Sequence, residues 1–238
     1  MADFSGQTAL VTGASGNLGA AVAQAFFKAG ANVAAVDRAT GILEVLFNQW
    51  VHSPRACLLA GVDVTVPQAV EKAVQEILGR FGRIDILVNT VGGYRAGKPV
   101  HETELETWDF MLNLNARSAF IVSRAVIPAM LAQGRGKIVN IGSSASLKGA
   151  SGAAAYAAAK SAVARLTESM AEDYKRKGIN VNAVLPGTID TPQNRQATPG
   201  ADFGLWVKPE ELARVILFLA SEDASPIHGA LIPVFGKR

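Results

Sequence analysis

The 238-residue sequence predicts one α/β domain, a parallel β-sheet covered by helices on both faces. Short, almost continuously apolar runs alternate along the chain with segments whose apolar residues recur at the 3.6-residue period of a helix. The first apolar run ends in a glycine-rich turn that leads directly into such a helical segment. The chain is long enough for one large domain of this class, and neither a repeat nor a second domain is recognisable.

The first strand is predicted over 8–11, and the glycine-rich turn follows it over 12–19. A glycine turn between a strand and a helix can hold a pyrophosphate, because backbone N–H groups and the helix N-terminus face the phosphates. Its glycines are Gly13, Gly16 and Gly19, which do not form a literal GxGxxG pattern. An ordinary tight turn without a ligand therefore remains an alternative.

The second strand is predicted over 32–36, and Asp37 stands at its end. An acidic side chain at this distance from the glycine turn can hydrogen-bond both ribose hydroxyls of an adenosine and repels a 2′-phosphate. NAD(H) is therefore the favoured cofactor. The neighbouring Arg38 can pair with a 2′-phosphate instead, which leaves NADP(H) as the alternative.

The alternation of strands and helices continues to the end of the chain. The further predicted elements are a helix over 39–50, a strand over 56–60, a helix over 67–81 capped by Thr65, a strand over 84–88, a helical region over 104–133, a strand over 137–141, a helix reaching about Lys177, a strand over 179–185, a helix over 209–220 and a strand over 230–234. The irregular segment 188–208 is predicted to be a substrate lid, because loops of that length in a compact domain usually have a function.

Tyr156 and Lys160 stand four residues apart on a predicted helix and therefore share one face. Ser143 precedes them, just beyond the fifth strand. A hydroxyl, a phenol and an ammonium brought together in this way can move a proton. A free tyrosine has a pKa of about 10, and a nearby ammonium is expected to lower it by stabilising the phenolate. By themselves, Tyr156 and Lys160 would fit an ordinary surface pair on an alanine-rich helix better than a catalytic pair.

Composition excludes several other classes of function. The formal net charge is +3 with scattered cations, which disfavours a nucleic-acid partner. Cys57 is the only cysteine and has apolar neighbours, so a buried thiol is expected, with neither a disulfide nor a metal site. No uncharged apolar run approaches the ~20 residues of a membrane span, and the N-terminus lacks an export signal. A cytoplasmic protein without a membrane partner is therefore the expectation.

As an ordered set, these residues resemble the short-chain dehydrogenase/reductase family over essentially the whole chain. The matching motifs are Thr12-Gly13 with Gly19, Asn89-x-x-Gly92, Asn115, Ser143, Tyr156-x-x-x-Lys160 and Pro186-Gly187. The resemblance implies a single Rossmann-type doubly wound domain over 1–238, with about seven parallel strands in the order 3-2-1-4-5-6-7. It also implies an NAD(P)(H)-dependent oxidoreductase acting on a carbonyl or secondary alcohol, assembled as a dimer or tetramer.

The resemblance further implies a role for each catalytic side chain. Tyr156 is expected to be the acid/base, with Lys160 as its electrostatic partner and a ribose ligand. Ser143 is expected to polarise the substrate oxygen, and Asn115 to hold a water molecule that passes protons through Lys160. Ser143 is selected over Ser144 because the family tyrosine usually follows its serine by thirteen residues. Another asparagine precedes Asn115 by two residues, and on a helix at most one of the two faces the site.

Family position also assigns the binding residues. The expected cofactor residues are Gly13, Ser15, Asn17, Leu18, Gly19, Asp37, Arg38, Asp63, Val64, Asn89, Gly92, Tyr156, Lys160, Pro186, Gly187, Thr188 and Thr191. The expected substrate residues are Tyr94, Arg95, Lys148, Arg195, Phe203 and Trp206. Each of these roles has an alternative. Asp63 could instead cap a turn, Thr188 and Thr191 could carry loop hydroxyls without a ligand, and each substrate residue could be an ordinary surface or packing residue.

The sequence departs from the family pattern at two motifs. Asn17 occupies a position that is commonly glycine, and the turn is expected to survive because asparagine tolerates a positive φ. The usual Asn-Asn-Ala-Gly motif reads Asn-Thr-Val-Gly over 89–92. Segments 185–206 and 92–94 also resemble dihydropteridine reductases, although that branch lacks the catalytic serine. A pterin reductase, a 3-oxoacyl-carrier-protein reductase and a non-catalytic dinucleotide-binding redox sensor therefore remain alternatives.

Overall fold

A computed structural model describes residues 2–237, so both ends of the predicted domain, Met1 and Arg238, lie outside the described residues. Its sheet has seven parallel strands in the order β3-β2-β1-β4-β5-β6-β7, which confirms the predicted fold class. The strands are β1 (Thr8–Thr12), β2 (Asn32–Val36), β3 (Ala56–Leu59), β4 (Ile86–Asn89), β5 (Gly136–Ile141), β6 (Ile179–Pro186) and β7 (Leu231–Val234). The helices are α1 (Asn17–Lys28), α2 (Ile42–Leu46), α3 (Pro67–Phe81), α4 (Leu105–Leu112), α5 (Ser118–Gln133), α6 (Ala154–Tyr174), α7 (Pro192–Ala197) and α8 (Pro209–Ala220).

Side chains of the central strands are buried on both faces of the sheet. In β1, Ala9 and Val11 pack in one hydrophobic cluster with residues of α1 and α8. Leu10, between them, packs in a second cluster with residues of α3 and α5. Successive strand residues point to opposite faces, so a sheet with helices on both faces needs an apolar residue at nearly every position. This is why the strands read as continuous apolar runs.

The segment predicted as a helix over 39–50 forms much less helix than expected. Only α2 and one turn of 3-10 helix over Asn48–Trp50 are present. Phe47 leaves the helical conformation between them, and its ring stacks on Trp50 at a centroid distance of 4.3 Å. Trp50 also stacks on Phe27 of α1 at 4.3 Å. Aromatic packing against α1 therefore overrides local helix propensity in this segment.

The segment 188–208 has secondary structure of its own, contrary to the prediction of an irregular loop. It contains α7 and a 3-10 turn over Phe203–Leu205, and a parallel bridge pairs Ile189 with Val207. The Thr191 side chain caps α7 by accepting a hydrogen bond from the Asn194 N–H, and Pro192 is the first helical residue. A capping threonine followed by proline is a helix-start signal, and the sequence interpretation missed it.

The predicted cap of α3 is also wrong. The helix begins at Pro67 as expected, but its N-cap residue is Val66, which has no capping side chain. The Thr65 hydroxyl donates instead to the Asp63 carboxylate at 2.7 Å, and the Thr65 N–H donates to the same oxygen at 2.9 Å. The two residues thus close a turn before the helix.

Candidate active site

The strand order brings the ends of several strands to one edge of the sheet. The chain runs from β1 outward to β2 and β3, then returns to place β4 on the other side of β1. Two crossover connections therefore leave the sheet in opposite directions beside the end of β1, which opens a crevice there. The glycine turn after β1 and the segment after β4 form the two sides of this crevice.

The glycine turn is so compact that side chains at its glycines would not fit. Gly13 has a φ of +63°, and a Cβ on Gly19 would collide with the Gly13 carbonyl oxygen. Thr90, just after β4, closes the other side of the turn. Its hydroxyl donates to the Thr12 carbonyl at 2.5 Å, and its N–H donates to the Thr12 hydroxyl at 3.2 Å. Thr90 stands inside the 89–92 motif, but the sequence interpretation assigned it no role.

The turn survives with Asn17, as expected, but without a positive φ at that residue. No non-glycine residue between 2 and 237 has a positive φ. Asn17 is instead the first residue of α1, after Gly16 in extended backbone, so the turn is made without a left-handed residue at 17. Its side-chain amide donates to Gln193 Oε1 of α7 at 3.0 Å. The next residue, Leu18, is buried.

Asp37 anchors the glycine turn to the end of β2. Its carboxylate accepts hydrogen bonds from the Ser15 N–H and the Ala39 N–H, each at 3.0 Å. Two hydrogen bonds to separate oxygens fix the direction of this carboxylate at the crevice. Arg38 is exposed beside it.

The two predicted cofactor residues after β3 have other surroundings. Hydrogen bonds from Thr65 lower the pKa of the Asp63 carboxyl below its usual value, with a smaller contribution from the charge of Arg38. This geometry is that of the turn cap given as the alternative role of Asp63. Val64 is 6% exposed and belongs to the hydrophobic cluster with α3.

Asn89 is turned into the protein core. Its amide donates to Asn140 Oδ1 at 2.9 Å and to the Ser123 hydroxyl at 3.2 Å. Asn140 in turn donates to the Thr167 hydroxyl at 2.9 Å, so the polar network joins β4, β5, α5 and α6. The side chain of Asn89 therefore helps to hold these elements together, and its contact with the cofactor stays a prediction.

Asn115 is the one of the two asparagines that faces inward. It lies in a π-helical turn over Asn113–Arg117 that connects α4 and α5, and π turns frequently mark functional sites. Its amide donates to the Gly93 and Met111 carbonyls, and its Oδ1 accepts from the Gly93 N–H at 3.2 Å. Asn113 instead accepts a hydrogen bond from the Arg117 guanidinium on an exposed surface.

Gly92 brings Asn115 and Lys160 together. A Cβ on Gly92 would lie 2.8 Å from Asn115 Oδ1 and 3.1 Å from Lys160 Nζ. Only a residue without a side chain permits these polar groups to converge at this point.

The Tyr156 phenol lies beside the Ser143 hydroxyl near the start of α6. Burial raises the pKa of Tyr156, the adjacent Ser143 hydroxyl opposes this effect, and Tyr94 raises the pKa further. The Tyr94 ring packs edge-on against the Tyr156 ring at a centroid distance of 4.8 Å. Ser143 is held by the Ala145 N–H, which donates to its hydroxyl at 3.2 Å. Ser144, the residue not selected, is exposed.

Lys160 lies beneath the site and is 5% exposed. Its ammonium donates to the Ile141 carbonyl at 2.9 Å, and burial lowers the pKa of Lys160 to about 8. The Tyr156 pKa was expected to be lowered, but in the chain by itself it is raised, because desolvation is the largest influence at both residues.

The segment 188–208, the predicted substrate lid, is held together by its own side chains; it is called the lid segment below. Arg195 makes a bidentate ion pair with Asp190, at 2.6 and 2.8 Å, and its guanidinium lies 4.8 Å from the Phe203 ring centroid. Phe203 packs against Trp206, which is only 4% exposed. Of the predicted substrate residues in the lid, Trp206 is thus a buried packing residue.

The segment before the lid comes from the end of β6. Pro186 is buried, and the Gly187 N–H donates to the Val234 carbonyl of β7 at 3.0 Å. Thr188 is partly exposed, whereas the Thr191 hydroxyl is occupied as the cap of α7. Lys148, on the segment between Ser143 and α6, is exposed.

The crevice fits a dinucleotide on three observations. The glycine turn lacks the side chains that would block a phosphate, Asp37 holds its carboxylate at the crevice, and α7 lies opposite the turn.

The buried thiol predicted for Cys57 is confirmed. Over residues 2–237, no group of three or more His, Cys, Asp or Glu side chains is arranged to hold a metal ion. In the same range, no helix combines the length and apolarity that a membrane span requires.

A family model and two related proteins indicate the same family for this chain. A family model described as short chain dehydrogenase matches residues 7–202. A 3-oxoacyl-[acyl-carrier-protein] reductase of Thermotoga maritima is 35% identical over 239 residues, and 97% of each chain is covered. A 2-(R)-hydroxypropyl-CoM dehydrogenase of Xanthobacter autotrophicus is 37% identical over 246 residues, again with 97% of each chain covered.

Two solved structures have the same fold as this chain, and each is 31% identical to it in sequence. A levodione reductase superimposes with a TM-score of 0.89 at 31% identity, over 98% of this chain and 97% of the other. A xylitol dehydrogenase with bound NAD+ has the same TM-score and identity, over 98% and 99% of the two chains.

Proposed function

The chain belongs to the short-chain dehydrogenase/reductase family, and we propose that Tyr156 is the acid and base of its hydride-transfer reaction between a nicotinamide cofactor and a carbonyl or secondary alcohol. One observation carries the assignment. The Tyr156 phenol lies beside the Ser143 hydroxyl, and Lys160 lies buried on the same face of α6. Asn115 approaches Lys160 at Gly92, so the four predicted catalytic residues belong to one site.

The protein's own contribution is to handle the proton at the reacting oxygen. When bound, the nicotinamide dinucleotide supplies hydride to a carbonyl carbon or accepts it from an alcohol. In the direction of reduction, Tyr156 donates a proton to the substrate oxygen, which otherwise becomes an alkoxide. Its raised pKa keeps the phenol protonated at neutral pH, and this suits the proton donor of a reductase.

The other three catalytic residues act around Tyr156. The Ser143 hydroxyl donates a hydrogen bond to the same substrate oxygen and polarises it. Lys160 supplies positive charge below the phenol and orients the cofactor ribose. Asn115 fixes the segment after β4 through Gly93 and supports the water that relays protons to Lys160.

We favour NAD(H) over NADP(H) as the cofactor. The support is Asp37, whose carboxylate is fixed by two N–H groups at the end of β2 and repels a 2′-phosphate. The glycine turn, the segment after β6 and α7 are the parts of the chain that would surround the phosphates and nicotinamide. Exposed Arg38 remains the group through which NADP(H) would bind.

A second candidate function is reduction of 3-oxoacyl groups on acyl carrier protein. It is favoured by the Thermotoga maritima reductase, which matches this chain almost end to end. A pterin reductase is the weaker alternative and has only the local likeness in the lid segment. A redox sensor that binds the dinucleotide without catalysis has no use for a phenol, a hydroxyl and an ammonium placed together.

A panel of ketones, acyl thioesters and quinonoid pterins, each assayed with NADH and NADPH, tests these functions. We expect turnover of ketones or acyl thioesters, with NADH preferred for ketones. Tyr156→Phe should abolish turnover and leave NADH binding nearly unchanged, because the phenol oxygen alone is removed. Substantial turnover by this variant would disprove the assignment of Tyr156.

We also propose that the protein is a homo-oligomer, a dimer or a tetramer. The support is the exposed apolar surface of α4 and α5, where Phe120 is 51% and Trp108 40% exposed. A cytoplasmic location remains a prediction from the sequence.

A further inference from the structure

A cavity of about 460 Å³ adjoins the Tyr156 site, and it is the basis of this inference, which rests on the proposed function. Its volume is in the range of sites that bind small molecules. The cavity lies between the segment after β4 and the N-terminal end of α6, where Ala154 and Ala155 form part of its wall. Tyr156 is the next residue along the helix, and the cavity reaches it through Tyr94, which lines the cavity and packs on the Tyr156 ring.

Tyr94 forms the partition between the cavity and the catalytic phenol. It lines the cavity, and its ring packs edge-on against that of Tyr156. At the same time it is 68% exposed, so most of the ring remains available to a ligand. A substrate whose reactive oxygen lies at Tyr156 can therefore extend along Tyr94 into the cavity.

Arg95, the next residue, gives the cavity its chemical character. Its guanidinium stacks on the Phe110 ring of α4 at 3.8 Å from the centroid. A stacked guanidinium keeps its N–H groups free in the plane of the fork, where they match the two oxygens of a carboxylate. No carboxylate of residues 2–237 lies within ion-pair distance of Arg95. The other cation of the cavity, Lys98, already faces Glu104 at 3.5 Å.

The walls of the cavity are tied together by the backbone. The Gly97 N–H donates to the Gly152 carbonyl at 2.9 Å, which joins the segment carrying Arg95 to the segment before α6. Gly152 has a φ of +70°, and a Cβ there would press on the Gly97 backbone at 3.3 Å. The position of Arg95 relative to α6 is thereby restrained.

We propose that this cavity binds the acidic end of the substrate, so that the enzyme prefers carbonyl compounds or alcohols that carry a carboxylate. Arg95 is the residue that determines this specificity, by pairing with the acidic group in a bidentate, charge-assisted manner. Tyr94 supplies a flat apolar wall between the acidic group and the reactive carbon.

The test compares two ketones of the same shape, 4-acetylbenzoate and 4-acetylbenzamide, which differ in charge. Each is measured as a substrate and as a competitive inhibitor of the best ketone of the panel, so a probe that is not turned over still gives an affinity. The variants are Arg95→Gln, which removes the charge, and Arg95→Lys, which keeps it without the bidentate fork. Arg214→Gln on the exposed surface of α8 is the control with the same change of charge.

We expect the wild-type protein to prefer the acid over the amide by about tenfold or more in kcat/KM or in inhibition constant. Arg95→Gln should reduce the preference to about twofold or less, Arg95→Lys should keep part of it, and Arg214→Gln should match the wild type. Equal use of the two probes by the wild type, or an unchanged preference in Arg95→Gln, would overturn the inference. Loss of the preference by Arg95→Gln alone, with unchanged affinity for NADH, would support it.

Failure of this inference and failure of the proposed function give different results. A protein that reduces panel ketones without preferring the acid retains its proposed function and lacks the acid-binding cavity. A protein that reduces no compound of the panel with either nucleotide would contradict both the proposed function and the acid-binding cavity.

Discussion

Asn17 at the start of α1 donates a hydrogen bond to Gln193 of α7 at 3.0 Å, across 176 residues of sequence. This contact joins the glycine turn to the lid segment. Both side chains are exposed, and a neutral hydrogen bond of this kind contributes about 0.5–1.5 kcal/mol. For the predicted substrate lid, a bond of that magnitude would favour a closed position and still permit opening.

We predict that Asn17→Ala and Gln193→Ala each increase the dissociation rate of NADH several-fold, about 2–10-fold for the loss of one such bond. Stopped-flow measurement of NADH fluorescence gives the rate. The double variant should dissociate no faster than either single variant, because the two substitutions remove the same contact. Additive effects on the rate would show that the two residues act separately.

The ionisation of Tyr156 should occur at an unusually alkaline pH in the protein without nucleotide. Burial raises the pKa of the phenol above its ordinary value, so the neutral acid is present throughout the neutral range. The difference between absorbance titrations of the wild type and Tyr156→Phe at 295 nm isolates this tyrosine. We expect its tyrosinate signal only above about pH 10. A signal near pH 7 would contradict the burial argument.

Replacing Lys160 with methionine should stabilise the fold while it removes activity. The pKa of Lys160 is about 8 in the folded protein and 10.5 as the ordinary value, so keeping it charged below pH 8 opposes folding. Each pKa unit corresponds to ~1.4 kcal/mol, and the lost hydrogen bond to Ile141 offsets about 1 kcal/mol.

We therefore expect Lys160→Met to raise the free energy of unfolding by about 2 kcal/mol at pH 7. Between pH 8 and 10.5 the gain should disappear, because lysine in the folded wild type loses its proton first and its burial then ceases to oppose folding. Urea unfolding at pH 7 and pH 10 measures both values. A gain that is the same at both pH values would exclude the buried charge as its cause.

Asp37→Asn should shift the cofactor preference toward NADPH. Asparagine keeps one acceptor oxygen, enough for one of the two backbone N–H groups that Asp37 binds through separate oxygens, and it removes the charge that repels a 2′-phosphate. The ratio of kcat/KM for NADPH to that for NADH should rise about tenfold or more, which corresponds to ~1.4 kcal/mol. Asp63→Asn is the matched control after β3. An equal shift in that variant would mean that general surface charge sets the preference.

The apolar surface of α5 should be needed for assembly. We predict that Phe120→Asp converts a dimer or tetramer into a smaller species. About half of Phe120 is exposed, and in the assembly a partner would cover this apolar surface. Size-exclusion chromatography with light scattering measures the mass. Phe218→Asp on α8 is a control with an aromatic of similar exposure, 47%. A monomeric wild-type protein would disprove the proposal directly.

Several expectations from the sequence were wrong because a local signal was read without its surroundings. The segment 188–208 was expected to lack secondary structure, although its Thr-Pro pair starts α7. Thr65 was expected to cap α3, but its hydroxyl donates to Asp63 instead. The turn at Asn17 survives as expected, but Gly13 supplies its positive φ and Asn17 begins α1.

The sequence by itself determined the parallel sheet and its element order, and it predicted the residues proposed to carry the chemistry. Apolar periodicity records burial directly, and the spacing of Tyr156 and Lys160 on one helix is a local property. Only the tertiary structure decided the direction in which the pKa of each of those residues shifts, because desolvation depends on everything packed around them. It also decided that Asn17 meets Gln193 and that Arg95 lines a cavity beside Tyr94. Such contacts join residues far apart in the chain, and no local pattern encodes them.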